Sequence, residues 1–137
     1  MPLTRVSPDE ALELMRTEGY AYVDVRSVPE FEAGHPEGAY NVPLLDMGPT
    51  GMTPNPAFLE VVKAHFAPDA KLVLGCKAGG RSLQAATQLL AAGYQNVVDQ
   101  RAGFDGHGEP GWAPKGLPVS RAAAPGRAYA ELSSKRG

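Results

Sequence analysis

Cysteine is nearly absent from this sequence, with one thiol in 137 residues. That scarcity excludes an intramolecular disulfide, a CxxC redox pair and a cysteine-rich zinc site, and it leaves no second thiol in the chain to resolve what forms on the first. Net charge is small too: the formal value is −2, so there is no global basic field and no expectation of a nucleic-acid partner. Long apolar runs are missing, which excludes a membrane-spanning helix. Met1-Pro2-Leu3-Thr4-Arg5 opens without the apolar segment of a secretory signal, and the expectation is a cytoplasmic protein whose thiol stays reduced. No internal repeat is visible, and the length suits one domain with a real core. No cofactor and no metal are implied.

What is present converges on that one sulfur. Leu72 to Leu74 is a short aliphatic run of the buried-strand type, and Leu83 to Ala92 carries apolar residues at helical spacing, so Cys76-Lys77-Ala78-Gly79-Gly80-Arg81-Ser82 is predicted to be a strand-to-helix turn. In open α/β sheets ligands bind at such turns. Two glycines and an alanine leave the loop backbone nearly bare, so consecutive N–H groups from Lys77 to Ser82 can converge on the sulfur as an anion-binding nest above a helix N-terminus. Lys77 and Arg81 add positive charge, and the combination favours the thiolate. The alternative is an inert core cysteine, to which a glycine-rich turn beside two basic residues is poorly suited.

CKAGGRS resembles the six-residue active-site loop of rhodanese-type sulfurtransferases, in which a cysteine carries a sulfane sulfur as a persulfide. The resemblance extends to DVRSVPEFEAGHPEGAYNVP (Asp24 to Pro43) and GLPV (Gly116 to Val119), and covers most of the chain between about Thr4 and Val119. It implies an α/β fold, a three-layer domain with a mostly parallel central sheet and helices on both faces, over residues 1–119, with 120–137 as a C-terminal extension. It also implies that Asp24 and Arg26 brace the cysteine loop. Their residue types alone favour the plainer reading, a structural Asp that caps a turn and an Arg that pairs with a carboxylate.

Taken in order, Ser7-Pro8-Asp9-Glu10 starts a helix with a capping box and runs to about Glu18, with Ala11, Leu12 and Met15 buried and Gly19 as the stop. Tyr20 to Val25 reads as a strand. Ser27 and Glu30 repeat the capping signature and open a short helix carrying Phe31, closed by Gly34. His35 is read as structural, since a thiolate held by a nest and a helix dipole needs no base. The two-domain relatives carry an Arg six residues after the motif's Asp, where it clamps the donor anion; here that position is Glu30, which argues against an organic-acid donor. Residues Leu44 to Pro54 are expected to form a loop, as a lip beside the site or a plain connector, followed by a helix from Asn55-Pro56 with Phe58, Leu59, Val62 and Phe66 on one face. His65 beside it is a surface or satisfied half-buried residue. Beyond a short strand at Asn96 to Asp99 the family pattern breaks: Ala102-Gly103 replaces a Gly-Gly pair, and FDGHGEPG separates Gly103 from Trp112, with His107 expected in solvent. The extension carries Arg121, Arg127, Lys135 and Arg136 against Glu131. It is either a helix packing on the body through Tyr129 and Leu132 or a mobile tail, and its removal is expected to leave activity nearly intact.

The functional expectation is a sulfurtransferase that moves sulfur from thiosulfate, or a persulfide donor, through Cys76 to cyanide or an external thiol. Arg81 is either a second donor clamp or a pin holding the loop. A sulfur-relay protein of acidic character is the protein partner that the basic tail would suit. Two rivals stand beside this: a non-catalytic binding module, and a phosphatase or arsenate reductase on the same fold.

Overall fold

The computed structural model describes residues 3–48, 51–106, 108–123 and 125–134, with the side chains at 47 and 48 set aside. Its elements are β1 (Thr4–Val6), α1 (Pro8–Thr17), β2 (Ala21–Asp24), α2 (Val28–Ala33), β3 (His35–Pro36), β4 (Tyr40–Asn41), β5 (Leu45–Gly48), β6 (Gly51–Pro54), α3 (Phe58–His65), β7 (Lys71–Gly75), α4 (Gly80–Ala91), β8 (Asn96–Gln100), β9 (Val119–Ser120) and α5 (Tyr129–Ser134). Among the described residues, five strands form a wholly parallel sheet in the order β1-β8-β7-β2-β4.

Strand alternation divides the interior into two cores. Tyr22 of β2 and Val73 of β7 join Ala11 of α1, Phe31 of α2 and Trp112 on one face. Their neighbours Val23, Leu72 and Leu74 join Phe58, Val61 and Val62 of α3, Ala85 and Leu89 of α4 and Leu132 of α5 on the other. The result is the three-layer α/β arrangement with helices on both faces that the sequence implied.

Both capping signatures form. The Glu10 N–H donates to Ser7 Oγ at 3.1 Å while Ser7 N–H donates to Glu10 Oε1 at 2.8 Å. At α2, the Ser27 N–H and hydroxyl both donate to Glu30 Oε1, at 3.1 and 2.9 Å. Asn55 accepts the Ala57 N–H at 3.0 Å ahead of α3. His65, at the end of α3, is half-buried and bonds the Leu132 carbonyl through Nε2 at 2.7 Å.

Two features depart from the sequence reading, and a third decides between the alternatives left open for the C-terminal segment. Residues 44–54, expected as a loop, contain an antiparallel hairpin in which β5 pairs with β6, from Leu45 opposite Pro54 to Gly48 opposite Gly51. Its prolines and glycines masked any alternation, and β6 is exposed throughout, so no apolar face marked it. Three very short strands, β1, β3 and β9, were also unforeseen, because two or three residues cannot display a period. The segment after Val119 is a packed one. Leu132 is buried in the main core, Tyr129 Oη accepts from Asn55 Nδ2 at 3.1 Å, and Arg127 lies over the Tyr40 ring while donating to the Gly38 carbonyl at 2.7 Å. Lys135, Arg136 and His107 lie outside the described residues.

Candidate active site

Parallel pairing of β2 with β7 sets Asp24 opposite Gly75, so Asp24-Val25-Arg26 and Cys76 leave the sheet at one edge. The Val25 N–H donates to the Gly75 carbonyl at 2.9 Å, which continues the ladder to the cysteine's doorstep. Residue 75 must be glycine, because a Cβ there would run into the Tyr22 hydroxyl.

Beyond it the chain turns at Gly79, with φ +102°, into α4. That left-handed conformation favours glycine, and a Cβ would also strike the Arg101 carbonyl. The turn folds the Gly79 N–H back onto Cys76 Sγ at 3.0 Å. The sulfur belongs to a residue only 2 % exposed. Among the described residues this is the one backbone donor on the sulfur, fewer than the sequence led one to expect. The reason is that α4 begins at Gly80, so the following residues are already helical. First-turn N–H groups lack intrahelical acceptors, so those of Gly80 to Ser82 are donors for an anion arriving at the helix end. Ser82 itself is fully buried, and its hydroxyl donates to the Gly79 carbonyl at 3.3 Å. Ala78 is half-buried, whereas Lys77 is exposed and has no ion pair among the described residues.

Arg81 makes a bidentate pair with Glu30, Nη1 to Oε1 at 2.7 Å and Nη2 to Oε2 at 3.0 Å. Both side chains are largely buried, at 15 % and 18 % exposure. Burial opposes ionisation of Glu30, but the hydrogen bonds from Arg81 and Ser27 outweigh it and hold the carboxyl down at about 2. Of the two alternatives for Arg81, pin or clamp, this contact is that of a pin between the loop and α2.

Asp24 and Arg26 meet the structural description raised by the sequence, a turn cap and an ion pair. Asp24 Oδ1 accepts the Arg26 N–H at 3.0 Å, capping the turn, and the two side chains pair at 2.8 Å while almost wholly buried. The Arg26 guanidinium also donates to the Gly34 carbonyl at 2.6 Å and stacks 4.4 Å above the Phe104 ring. Phe104 in turn donates its N–H to the Cys76 carbonyl at 2.7 Å. The pair therefore touches the cysteine loop through Phe104.

His35 is buried, stacked on Phe31 with ring centroids 3.7 Å apart, and Nδ1 is bonded to the Phe31 carbonyl at 2.8 Å. Its position in the fold is a packing position.

The long spacer before Trp112 is closed at its base. Gly106 bridges Pro110, and the Trp112 N–H returns to the Gly103 carbonyl at 2.9 Å. Trp112 is fully buried, edge-on to Tyr22, with its indole N–H on the Pro118 carbonyl at 2.7 Å. The spacer's stem grips the active loop, since the Asp105 N–H donates to the Lys77 carbonyl at 3.0 Å.

The sequence matches the family model of the rhodanese-like domain over residues 7–108. The chain belongs to the rhodanese-like domain family. This rhodanese-like domain is 45 % identical over 101 residues to thiosulfate sulfurtransferase 16, chloroplastic, of Arabidopsis thaliana, a match covering 74 % of this chain and 80 % of that protein. It is 32 % identical over 120 residues to the thiosulfate sulfurtransferase GlpE of Haemophilus influenzae, covering 87 % of this chain and 96 % of that one. Other curated relatives are longer, and the match spans 52 % and 53 % of two of them. Among solved structures, Rv0390 from M. tuberculosis superposes with a TM-score of 0.76 at 25 % identity, over 89 % of this chain and all of that one. The family is one of sulfurtransferases, and both named relatives carry that name.

Sequence reasoning missed two groups in this rhodanese-like domain. Gln100, fully buried, accepts the N–H groups of Ala102 and Gly103 at 2.9 Å and donates to the Gly103 carbonyl at 2.8 Å, shaping the turn that Phe104 follows. A buried glutamine at a strand end was the available signal, since such a residue must spend its hydrogen bonds on backbone. Phe104 itself gave no signal, because its contribution is an N–H and a ring face supplied by the fold.

Proposed function

We propose that this protein is a thiosulfate sulfurtransferase working through a persulfide on Cys76. The observation that carries the reading is the Gly79 N–H on Cys76 Sγ at 3.0 Å, inside a glycine turn that caps α4. The Cys76 thiolate attacks the outer sulfur of thiosulfate. A new S–S bond forms, the S–S bond of the donor breaks, and its electron pair leaves with sulfite. Cyanide or an external thiolate then takes the terminal sulfur and returns the electron pair of the persulfide bond to Cys76. The acceptor comes from outside the chain, which has no second cysteine. Gly79 and the first-turn amides of α4 stabilise charge on sulfur in the manner of an oxyanion hole. Lys77, exposed beside the loop, draws in the donor dianion.

The Arg81–Glu30 pair favours this reading over phosphoryl or arsenate chemistry. A guanidinium already chelated by a carboxylate is engaged on both prongs, and is not free to cradle a phosphoryl or arsenate group. Intact-mass analysis after thiosulfate treatment tests the proposal. One added sulfur, absent in Cys76→Ala and removed by cyanide or thiol, is the expected result. Cys76-dependent turnover of an aryl phosphate with no sulfur uptake would overturn it, and an unreactive Cys76 would favour a binding module.

A further inference from the structure

Gly79 gives its N–H to the sulfur, and its carbonyl is held from the opposite side of the molecule's sequence. Arg5, on the edge strand β1, donates from Nη2 to that carbonyl at 3.3 Å, where the Ser82 hydroxyl also donates at 3.3 Å. The same guanidinium donates from Nε to Asp99 Oδ2 at 2.6 Å. Parallel pairing of β1 with β8 puts Arg5 opposite Asp99. Asp99 is fully buried, and its Oδ1 meets no hydrogen-bond partner of good geometry among the described residues. Burial pushes the Asp99 carboxyl up, with Ser82 and Arg5 pulling the other way.

Glycine is the freest residue in the backbone, so a glycine that must present an N–H in one direction needs its peptide fixed by neighbours. Arginine suits the task, since its planar fork can serve a carboxylate and a carbonyl at once. An ammonium is a single point and cannot span both. We propose that Arg5, oriented by Asp99, is a positioning residue that, with the Ser82 hydroxyl and the Leu83 N–H, holds the Gly79 carbonyl and so sets the glycine's φ and ψ, which aims the N–H on its preceding peptide at Cys76 Sγ. Arg5 lies outside the residues matched by the family model. The inference rests on Cys76 being the reacting group.

The test compares Arg5→Ala, Arg5→Lys and the double variant Arg5→Ala/Asp99→Asn with the full native chain. Alkylation of Cys76 by iodoacetamide, a small neutral reagent, is read alongside kcat and KM for thiosulfate and thermal stability. Expected for Arg5→Ala is a fall of about tenfold in alkylation rate and in kcat, the scale of a slightly misplaced catalytic contact, with KM nearly unchanged. Arg5→Lys should recover little. The double variant removes the unpaired buried carboxylate and so protects the fold, and it should be as slow as Arg5→Ala. A folded double variant that alkylates at the native rate would overturn the proposal, reducing Arg5 to a partner that neutralises Asp99. Alkylation does not involve thiosulfate, so a native protein that alkylates but takes up no sulfur would refute the function while still deciding the role of Arg5.

Discussion

Arg81 and Glu30 face each other through two nearly parallel hydrogen bonds of 2.7 and 3.0 Å, although 51 residues separate them in the chain. Planar guanidinium against planar carboxylate is the geometry that fixes orientation as well as distance. It ties the first turn of α4, and with it the cysteine loop, to the capping box of α2.

Glu30→Gln keeps the shape and the acceptor for Ser27 but loses the charge. It is expected to cost about 1–3 kcal/mol of stability at neutral pH, the scale of hydrogen bonds to charged groups. The pH dependence has a definite sign. A carboxyl held at about 2 in the fold, against an ordinary 4.5, contributes its full stability above the ordinary value and loses it as pH falls toward 2. Melting curves of the two proteins should therefore differ at pH 6 and converge in strong acid. A constant gap across that range would show that the pair is not what stabilises the loop.

Gly79→Ala is expected to damage the site more than the fold. The left-handed φ of +102° alone costs on the order of 1–3 kcal/mol for alanine, and the Cβ meets the Arg101 carbonyl. Relief requires the turn to open, which withdraws the N–H from Cys76. Loss of sulfur uptake by intact mass, in a variant that still shows native far-UV circular dichroism, is the outcome that checks this.

Lys77→Ala should raise the thiosulfate KM several-fold while kcat changes little, because an exposed, unpaired ammonium helps gather the dianion before and after the chemical step alike. Steady-state kinetics at low and high salt separate the terms, and the KM difference should shrink as salt screens the charge. A kcat loss at constant KM would place Lys77 in the transition state.

The burial of Leu132 changes the expectation for the C-terminal segment. Leu132→Ala is expected to destabilise by about 2–5 kcal/mol, the range for large-to-small changes in a core. Removal of residues 120–137 should lower the melting temperature further, since it also strips the partners of Asn55 and His65. Calorimetry of the truncated chain checks this, and an unchanged melting temperature would mean that the body closes without α5.

Much of this was written locally in the sequence. The strand, glycine turn and helix around Cys76 follow from an apolar run, bare residues and a change of period, and both capping boxes follow from Ser-x-x-Glu. The three-layer fold followed from strands alternating with helices and from the family resemblance. What could not be seen depends on pairs distant in the chain or on elements too short for a pattern. Glu30 reads as a helix cap until Arg81 arrives beside it. Arg5 sits in a three-residue strand with no periodicity, and its value depends on Asp99 being its parallel neighbour. Leu132 reads in the sequence either as a packing residue or as part of a tail, because its surroundings are alanine-rich and polar, and its docking against α3 decides between the two.

The spacer after Gly103 couples two parts of the molecule that the sequence keeps apart. Its ends are stapled together by the Trp112 N–H on the Gly103 carbonyl and by the Gly106–Pro110 bridge. Because its stem also carries the N–H groups that clasp the carbonyls of Cys76 and Lys77, the buried tryptophan and the loop where the sulfur sits form one mechanical unit.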